Sequence, residues 1–477
     1  MRNRVVALIA GIAIGMGAMV VAPAAIEALT VSPKFKTPQV KVSKTVVTPG
    51  MTLTVSGSGF EPSVAVHVSL DNIDGNGGQN LLSAPTTSST GSFKATVVLQ
   101  SPDVLTPGQH VITAASQKQG ASTPILAASG DWASFGNGTS KQVSRTNNDG
   151  WLTTASAPTL HQRWTANIGG ATHSLPTVAN GVAYASSGDG NVYALNATTG
   201  VQLWTVTTGG PVISSPTVVN GVVYVGSRDT KVYALNAATG AQLWTATTGD
   251  AVVSSPAVVN GVVYVGSSDA NVYALNAATG AQLWTATTGG AVNSSPSVVN
   301  GVVYVGSYDN KVYALNAATG AQLWTATTGG PVFSSPAVVN GVVYIGSFDH
   351  KVYALNATTG APMWTVTTGD LVLSSPAVAN GVVYVGSYDH KVYALNATTG
   401  AQVWTVTTGD VLFSSPAVAN GVVYVGSSDH NVYALNATTG AQVWTVTTGD
   451  VVLSSPAVAN GVVYIGSDDQ KIYAFGI

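Results

Sequence analysis

His350, His390 and His430 each follow an aspartate, at intervals of 40 residues. Imidazole beside carboxylate is a pairing used in zinc sites and in general-base catalysis. The chain offers few other reactive groups, with no cysteine and with Glu27 and Glu61 as its two glutamates. Zero cysteine excludes disulfides, thiolate metal sites, thiol nucleophiles and an N-terminal lipidated cysteine. The spacing of the histidines argues against a shared metal. If each 40-residue unit is a radial sheet with strands about 4.7 Å apart, the histidine turns lie roughly 14 Å from the axis and about 11 Å from each other. A zinc ion holds its ligands at about 2 Å. No metal site is expected. The aspartates recur at 189, 229, 269, 309, 349, 389, 429 and 469. One in every unit reads as a turn cap that accepts backbone hydrogen bonds. Asp71–Asn76 faintly resembles a calcium loop, but Ile73 and Gly75 stand where oxygen ligands would be needed, so a plain turn is expected.

Composition narrows the classes further. Charged residues make up 8% of the 477, against about 25% in an average soluble protein. The net charge is −3 and hydrophobic residues reach 45%. That balance gives nucleic acid no basic stripe to bind. It also lacks the low hydrophobicity and high charge of disordered chains. From Trp164 onward, 13 aspartates stand against 6 lysines and arginines, a balance of −7, and the preceding residues carry 11 basic against 7 acidic groups, or +4.

The elements that must position these groups repeat. Tryptophan recurs at 164, 204, 244, 284, 324, 364, 404 and 444 without insertion. A period of this length with several short strands per unit marks a propeller. In the unit 212–251, strands are expected over 214–219, 222–226, 232–236 and 242–247, with Asn220-Gly221 as a tight hairpin. The second and third strands are apolar on both faces, as blades stacked between neighbours require. The fold class expected is all-β: an eight-bladed β-propeller of 40-residue four-stranded repeats over 159–477. The last unit lacks a fourth strand and the strand at Trp164 lacks a first three, so the N-terminal strand is expected to close the ring and leave no open edge.

Upstream, Arg2 and Arg4 precede the apolar stretch Val5–Ala25, and Ala22-Pro23-Ala24 suits cleavage. Residues 1–28 read as a signal peptide, with a membrane anchor as the alternative. The protein is therefore expected to be extracytoplasmic: secreted, at the cell surface or periplasmic. Membrane contact is expected only through this segment, where it stays uncleaved. Alternating strands separated by Gly, Pro and Ser turns suggest a small β-sandwich over 38–128, followed by a lead-in segment over 129–158.

Two resemblances follow from these residues. Gly57-Ser58-Gly59-Phe60-Glu61-Pro62, with Gly91-Ser92-Phe93, resembles bacterial immunoglobulin-like surface modules, which implies a spacer. The pattern Ala194, Asn196, Thr199-Gly200, Trp204, repeated to Ala434, Asn436, Thr439-Gly440, Trp444, resembles the tryptophan-docking motif of pyrroloquinoline-quinone-like (PQQ-like) repeats. The lead-in Asp131-Trp132-Ala133-Ser134-Phe135-Gly136 also resembles that family's. The family contains quinoprotein dehydrogenases and non-catalytic relatives such as the outer-membrane assembly protein BamB. The resemblance implies that the eight repeat tryptophans pack between blades. It also raises PQQ held by calcium as a cofactor. Dehydrogenases of the family use a Glu, an Asn and an Asp for that calcium, and many add a vicinal disulfide. The glutamates of this chain lie outside the propeller and cysteine is absent, so no cofactor is expected. The non-enzymatic reading leads. The alternatives are a PQQ-dependent dehydrogenase and a BamB-like assembly factor.

Variation gathers in two loops of each unit, most clearly at one position in each. The first reads His173, Ile213, Val253, Asn293, Phe333, Leu373, Phe413, Leu453, and the second Gly188, Arg228, Ser268, Tyr308, Phe348, Tyr388, Ser428, Asp468. Both fall in loops that share one face of a propeller. Tyr308, Phe333, Phe348, Tyr388 and Phe413, with His350 and His390 beside them, form the candidate binding patch. Exposed aromatic clusters of this kind mark contact surfaces, so a protein, peptide or glycan partner is expected there. No catalytic residue is assigned.

Overall fold

The computed structural model describes residues 37–43, 46–47, 52–70, 81–98, 108–116, 120–127, 132–133, 146–147 and 152–477. The candidate signal peptide and the Asp71–Asn76 turn lie outside the described residues. Among the described residues, no helix is long and apolar enough to cross a membrane.

The N-terminal unit is two sheets. Gln39–Val42, Thr52–Ser58 and Phe93–Val98 form one. Val46–Val47, Gly120–Ala127, Gly108–Ala115, His67–Leu70 and Leu81–Ser83 form the other. Leu53, Val55, Phe60, Val68, Phe93 and Ile112 make its core. Phe60 and Phe93 meet edge to face at 5.6 Å. The Phe93 ring lies where a side chain on Gly57 would have to be, so a Cβ there would fall 2.1 Å from it.

From residue 161 the chain forms eight four-stranded antiparallel sheets. One unit shows the rule: Thr217–Val219, Val222–Gly226, Lys231–Asn236 and Gln242–Thr247 pair in order. The Asn220-Gly221 hairpin has φ of 51° and 77°, the two positive angles that a type I′ turn demands. The middle strands are buried on both faces, with Val223, Val225, Val232 and Ala234 fully enclosed, because each sheet is stacked between two others. The first strand of each sheet neighbours the first strand of the next. This cycle returns on itself, with Thr177–Ala179 beside Ala457–Ala459. The sheets therefore form a closed ring, which is a β-propeller.

Tryptophan docks each blade on the next. Trp204 Nε1 donates to Ala237 O of the following blade at 2.9 Å, and its indole lies over Gly240, which holds φ at 73°. Tyr184 of the Trp204 blade leans on that indole at 5.8 Å. The same bond recurs from Trp164, Trp244, Trp284, Trp324, Trp364 and Trp404. Trp444 reaches the Leu160 carbonyl instead, at 2.9 Å, because in the last blade residues before 161 supply what a turn supplies elsewhere.

Closure follows the expected route. His161–Asn167 pairs antiparallel with Lys471–Gly476 as the fourth strand of the last sheet. The lead-in does more than precede the ring. Trp132, fully buried, bridges to Val178, Val218 N donates to Ala133 O at 2.8 Å, and Thr146–Asn147 adds a fifth strand beside Ala417–Ala419. These contacts of the described lead-in residues use the inner edges of three blades near the Asn-Gly hairpins.

Candidate functional site

The opposite end of the axis is a pocket of about 100 Å³. Two collars line it. The outer collar is the first variable position of every blade, from His173 through Phe333 and Phe413 to Leu453. The inner collar lies two residues further along and consists of Ser215, Ser255, Ser295, Ser335, Ser375, Ser415 and Ser455. Leu175 takes the eighth place as a buried side chain without a hydroxyl.

The inner collar is a hydrogen-bonded chain that runs round the axis and is interrupted at Leu175. Ser215 N donates to Ser255 Oγ, Ser255 N to Ser295 Oγ, and Ser295 N to Ser335 Oγ, each at 2.9 Å. Ser335, Ser375 and Ser415 continue it to Ser455. Sequence reasoning missed this collar because the recurring Ser-Ser-Pro, present in seven of the eight units, reads only as the entry to a strand. Its second serine faces the axis, whereas the first accepts from its own blade, as Ser254 Oγ does from Gly266 N at 3.0 Å.

The aromatic candidates converge above the outer collar. Phe348 meets Tyr308 at 5.9 Å, Tyr308 meets Phe333 at 6.5 Å, and Phe333 meets Phe413 at 5.6 Å. Phe333 and Phe413 lie two blades apart and touch across Leu373, which is buried. Tyr388 is half-buried beside them in sequence order but makes no ring contact with the other four among the described residues. Burial, and then the nearby Asp370 charge, raise its phenol above the usual range.

The histidines stay separate. His350 faces Asp370 at 3.8 Å, His390 faces Asp410 at 4.0 Å, and His430 faces Asp450 at 3.9 Å. His173 faces Asp468 at 3.2 Å. The first three pairs are well exposed, which makes them of little worth to stability. Among the described residues, no group of three His, Cys, Asp or Glu converges.

The aspartates that precede the third strands hold turns together. Asp269 Oδ1 accepts from Asn271 N at 2.9 Å, while its Oδ2 accepts from Gly249 N at 2.7 Å and from the Tyr273 hydroxyl at 2.6 Å. Burial pushes this carboxyl up, but those hydrogen bonds outweigh it and hold the group below the usual range. The partner tyrosines move the other way. Burial first, then the aspartate bond, push Tyr233, Tyr313, Tyr353, Tyr393 and Tyr433 up to about 12.

A calcium-held quinone would need oxygen ligands from the axial lining. Calcium takes six to eight oxygens, carboxylates among them. The lining offers hydroxyls, aliphatic and phenyl groups, Asn293 and His173, with no carboxylate. These residues do not fit that group.

With this geometry in place, comparisons place the chain. The family described as outer membrane protein assembly factor BamB matches residues 148–256, 228–334, 310–413 and 390–477. A comparison with curated protein sequences returned no match. Among solved structures, BamB from Moraxella catarrhalis superposes with a TM-score of 0.59 at 21% identity, over 67% of this chain and 100% of that one. The quinohemoprotein alcohol dehydrogenase of Comamonas testosteroni gives 0.64 at 16% identity, over 73% and 80%. The computationally designed protein Ika8 gives 0.61 at 17% identity, over 66% and 100%. At these identities the likenesses establish the propeller fold alone.

Proposed function

The chain belongs to the PQQ-like repeat family described as outer membrane protein assembly factor BamB, and from that premise we propose that it is an exported, non-enzymatic binding scaffold. Its loop face would hold a polypeptide partner outside the cytoplasm, with the N-terminal two-sheet unit, read as immunoglobulin-like, as a spacer. The observation that carries this reading is the contact chain Phe348–Tyr308–Phe333–Phe413. Four aromatic rings share one face of a ring whose other surfaces repeat almost unchanged. Aromatic residues at the centre of an interface carry a disproportionate share of binding energy. Glycan binding is the less favoured partner class, because tilted, mutually packed rings leave no flat platform for a sugar.

The family name supports an assembly or scaffolding task in the cell envelope. The likeness to a dehydrogenase is one of fold. The carboxylate-free axis supports the reading without quinone chemistry; dye reduction on adding quinone and calcium would overturn it. The direct test is capture of a partner from the organism's own envelope fraction by the whole chain. The triple variant Tyr308→Ala, Phe348→Ala, Tyr388→Ala is expected to lose that partner by tenfold or more while keeping its melting temperature. Unchanged capture by the triple variant overturns the loop-face reading.

A further inference from the structure

We propose that the axial pocket is a socket for a tyrosine side chain presented by a polypeptide partner. The proposal rests on the loop-face reading and gives it a chemical anchor. It starts from what the inner collar has left to offer. A serine hydroxyl carries one proton to donate and two lone pairs to accept with. Each collar hydroxyl spends a lone pair on the N–H of the preceding blade. Among the described residues, the hydroxyls of Ser255, Ser295, Ser335 and Ser375 donate to no protein acceptor. Those side chains are 4–8% exposed and line the pocket. Their protons can therefore go only toward the axis. Accepting an N–H also polarises a hydroxyl, which strengthens the bond it donates.

The floor thus holds an arc of four buried donors, and the wall above it is apolar but for His173 and Asn293. Ile213, Val253, Phe333, Leu373, Phe413 and Leu453 supply that wall. Floor and wall lie two residues apart in each blade, so a side chain whose ring meets the wall can present its tip to the floor. Other side chains match one collar and fail the other. Leucine or phenylalanine fills the wall but strands the donors, which is costly in a buried site. Lysine brings protons to a floor of protons. Aspartate and glutamate bring negative charge to a propeller that already carries −7, into a lining without lysine or arginine. Tyrosine gives the wall a ring, with edges for Phe333 and Phe413. Its oxygen accepts from one serine, and its proton goes to the second lone pair of another.

The test uses the whole chain and N-acetyl-tyrosinamide as probe, with N-acetyl-phenylalaninamide beside it. The readout is methyl NMR of Ile213, Val253, Leu373 and Leu453. The tyrosine amide is expected to shift these methyls and to bind at least tenfold more tightly than the phenylalanine amide. The double variant Ile213→Phe, Val253→Phe fills the wall with a residue it already carries at 333 and 413. It is expected to keep its melting temperature and lose the probe. Equal binding of the two amides overturns the socket, as does an absence of shifts or their survival in the filled variant. Partner capture separates the two readings. If the filled variant still captures a partner that the Tyr308/Phe348/Tyr388 variant loses, the socket falls and the loop face stands. If the loop-face variant keeps its partner while the probe binds as expected, the loop-face reading falls and the socket stands.

Discussion

At the scale of single residues, near-identity of the repeats turns each departure into an internal experiment. Thr172 is one. Seven other blades place Val212, Val252, Val292, Val332, Val372, Leu412 or Val452 at this point. Thr172 is fully buried, and among the described residues its hydroxyl has no hydrogen-bond partner. A stranded buried hydroxyl costs about 1–3 kcal/mol. Thr172→Val is close in shape and removes it, so the urea midpoint should rise by an amount worth about 1 kcal/mol. Val212→Thr should lower it. A fall in stability for Thr172→Val would mean that the hydroxyl is satisfied by a buried water. Recurrence also made the aspartates legible before any coordinates: Asp269 caps its turn as its period implied. The same reasoning could not find the serine collar. Ser255 and Ser254 are adjacent and recur almost alike, and only a closed ring separates the one facing the axis from the one facing the blade.

At the scale of the element, each blade turn is fastened by an aspartate and a tyrosine four residues on, as in Asp309 and Tyr313 at 2.5 Å. Their titrations set a pH window. Tyr233, Tyr313, Tyr353, Tyr393 and Tyr433 are pushed up to about 12, by burial first and the aspartate bond second. An unfolded tyrosine titrates near 10. Between those values the folded chain holds more protons than the unfolded one, so stability falls as pH rises. It is whole below about pH 10 and is lost toward pH 12. Asp189, Asp269, Asp429 and Asp469 lie below their ordinary value because hydrogen bonds outweigh burial. Their contribution is whole above about pH 4 and is lost as pH falls further. Guanidinium midpoints measured from pH 4 to 11.5 should form a plateau with an alkaline shoulder, and tyrosinate absorbance should rise together with unfolding. Tyrosinate forming near pH 10 at these five tyrosines in the folded chain would contradict the buried pairs. The hairpins and strands themselves were legible, since Asn-Gly and apolar alternation act locally. The fifth strand at Thr146–Asn147 was not, because its partner lies some 270 residues away and two polar residues carry no strand pattern.

At the scale of the whole molecule, stability depends on a seam that no single repeat contains. The last sheet has three strands from the C-terminal unit and takes its fourth from His161–Asn167. That strand covers Lys471–Gly476, where Ile472 and Phe475 are fully buried. It carries Trp164, which docks on the first blade through Ala197 O, and it follows Leu160, whose carbonyl receives Trp444. Removing the chain through residue 167 would therefore cut a sheet edge and two of the eight tryptophan bonds together. An exposed, apolar, unpaired strand is a template for pairing with another molecule. The truncated chain is expected to leave the monomer peak in size-exclusion chromatography with light scattering. Its melting temperature should fall, and hydrogen exchange should speed up first in Lys471–Gly476 and then in the blades flanking the seam. Co-expression of residues 37–167 as a separate chain should restore the monomer, because the missing strand pairs through its backbone and needs no covalent link to the first blade. A truncated chain that stays monomeric with an unchanged melting temperature would show that the remaining inter-blade contacts hold the ring without its closing strand.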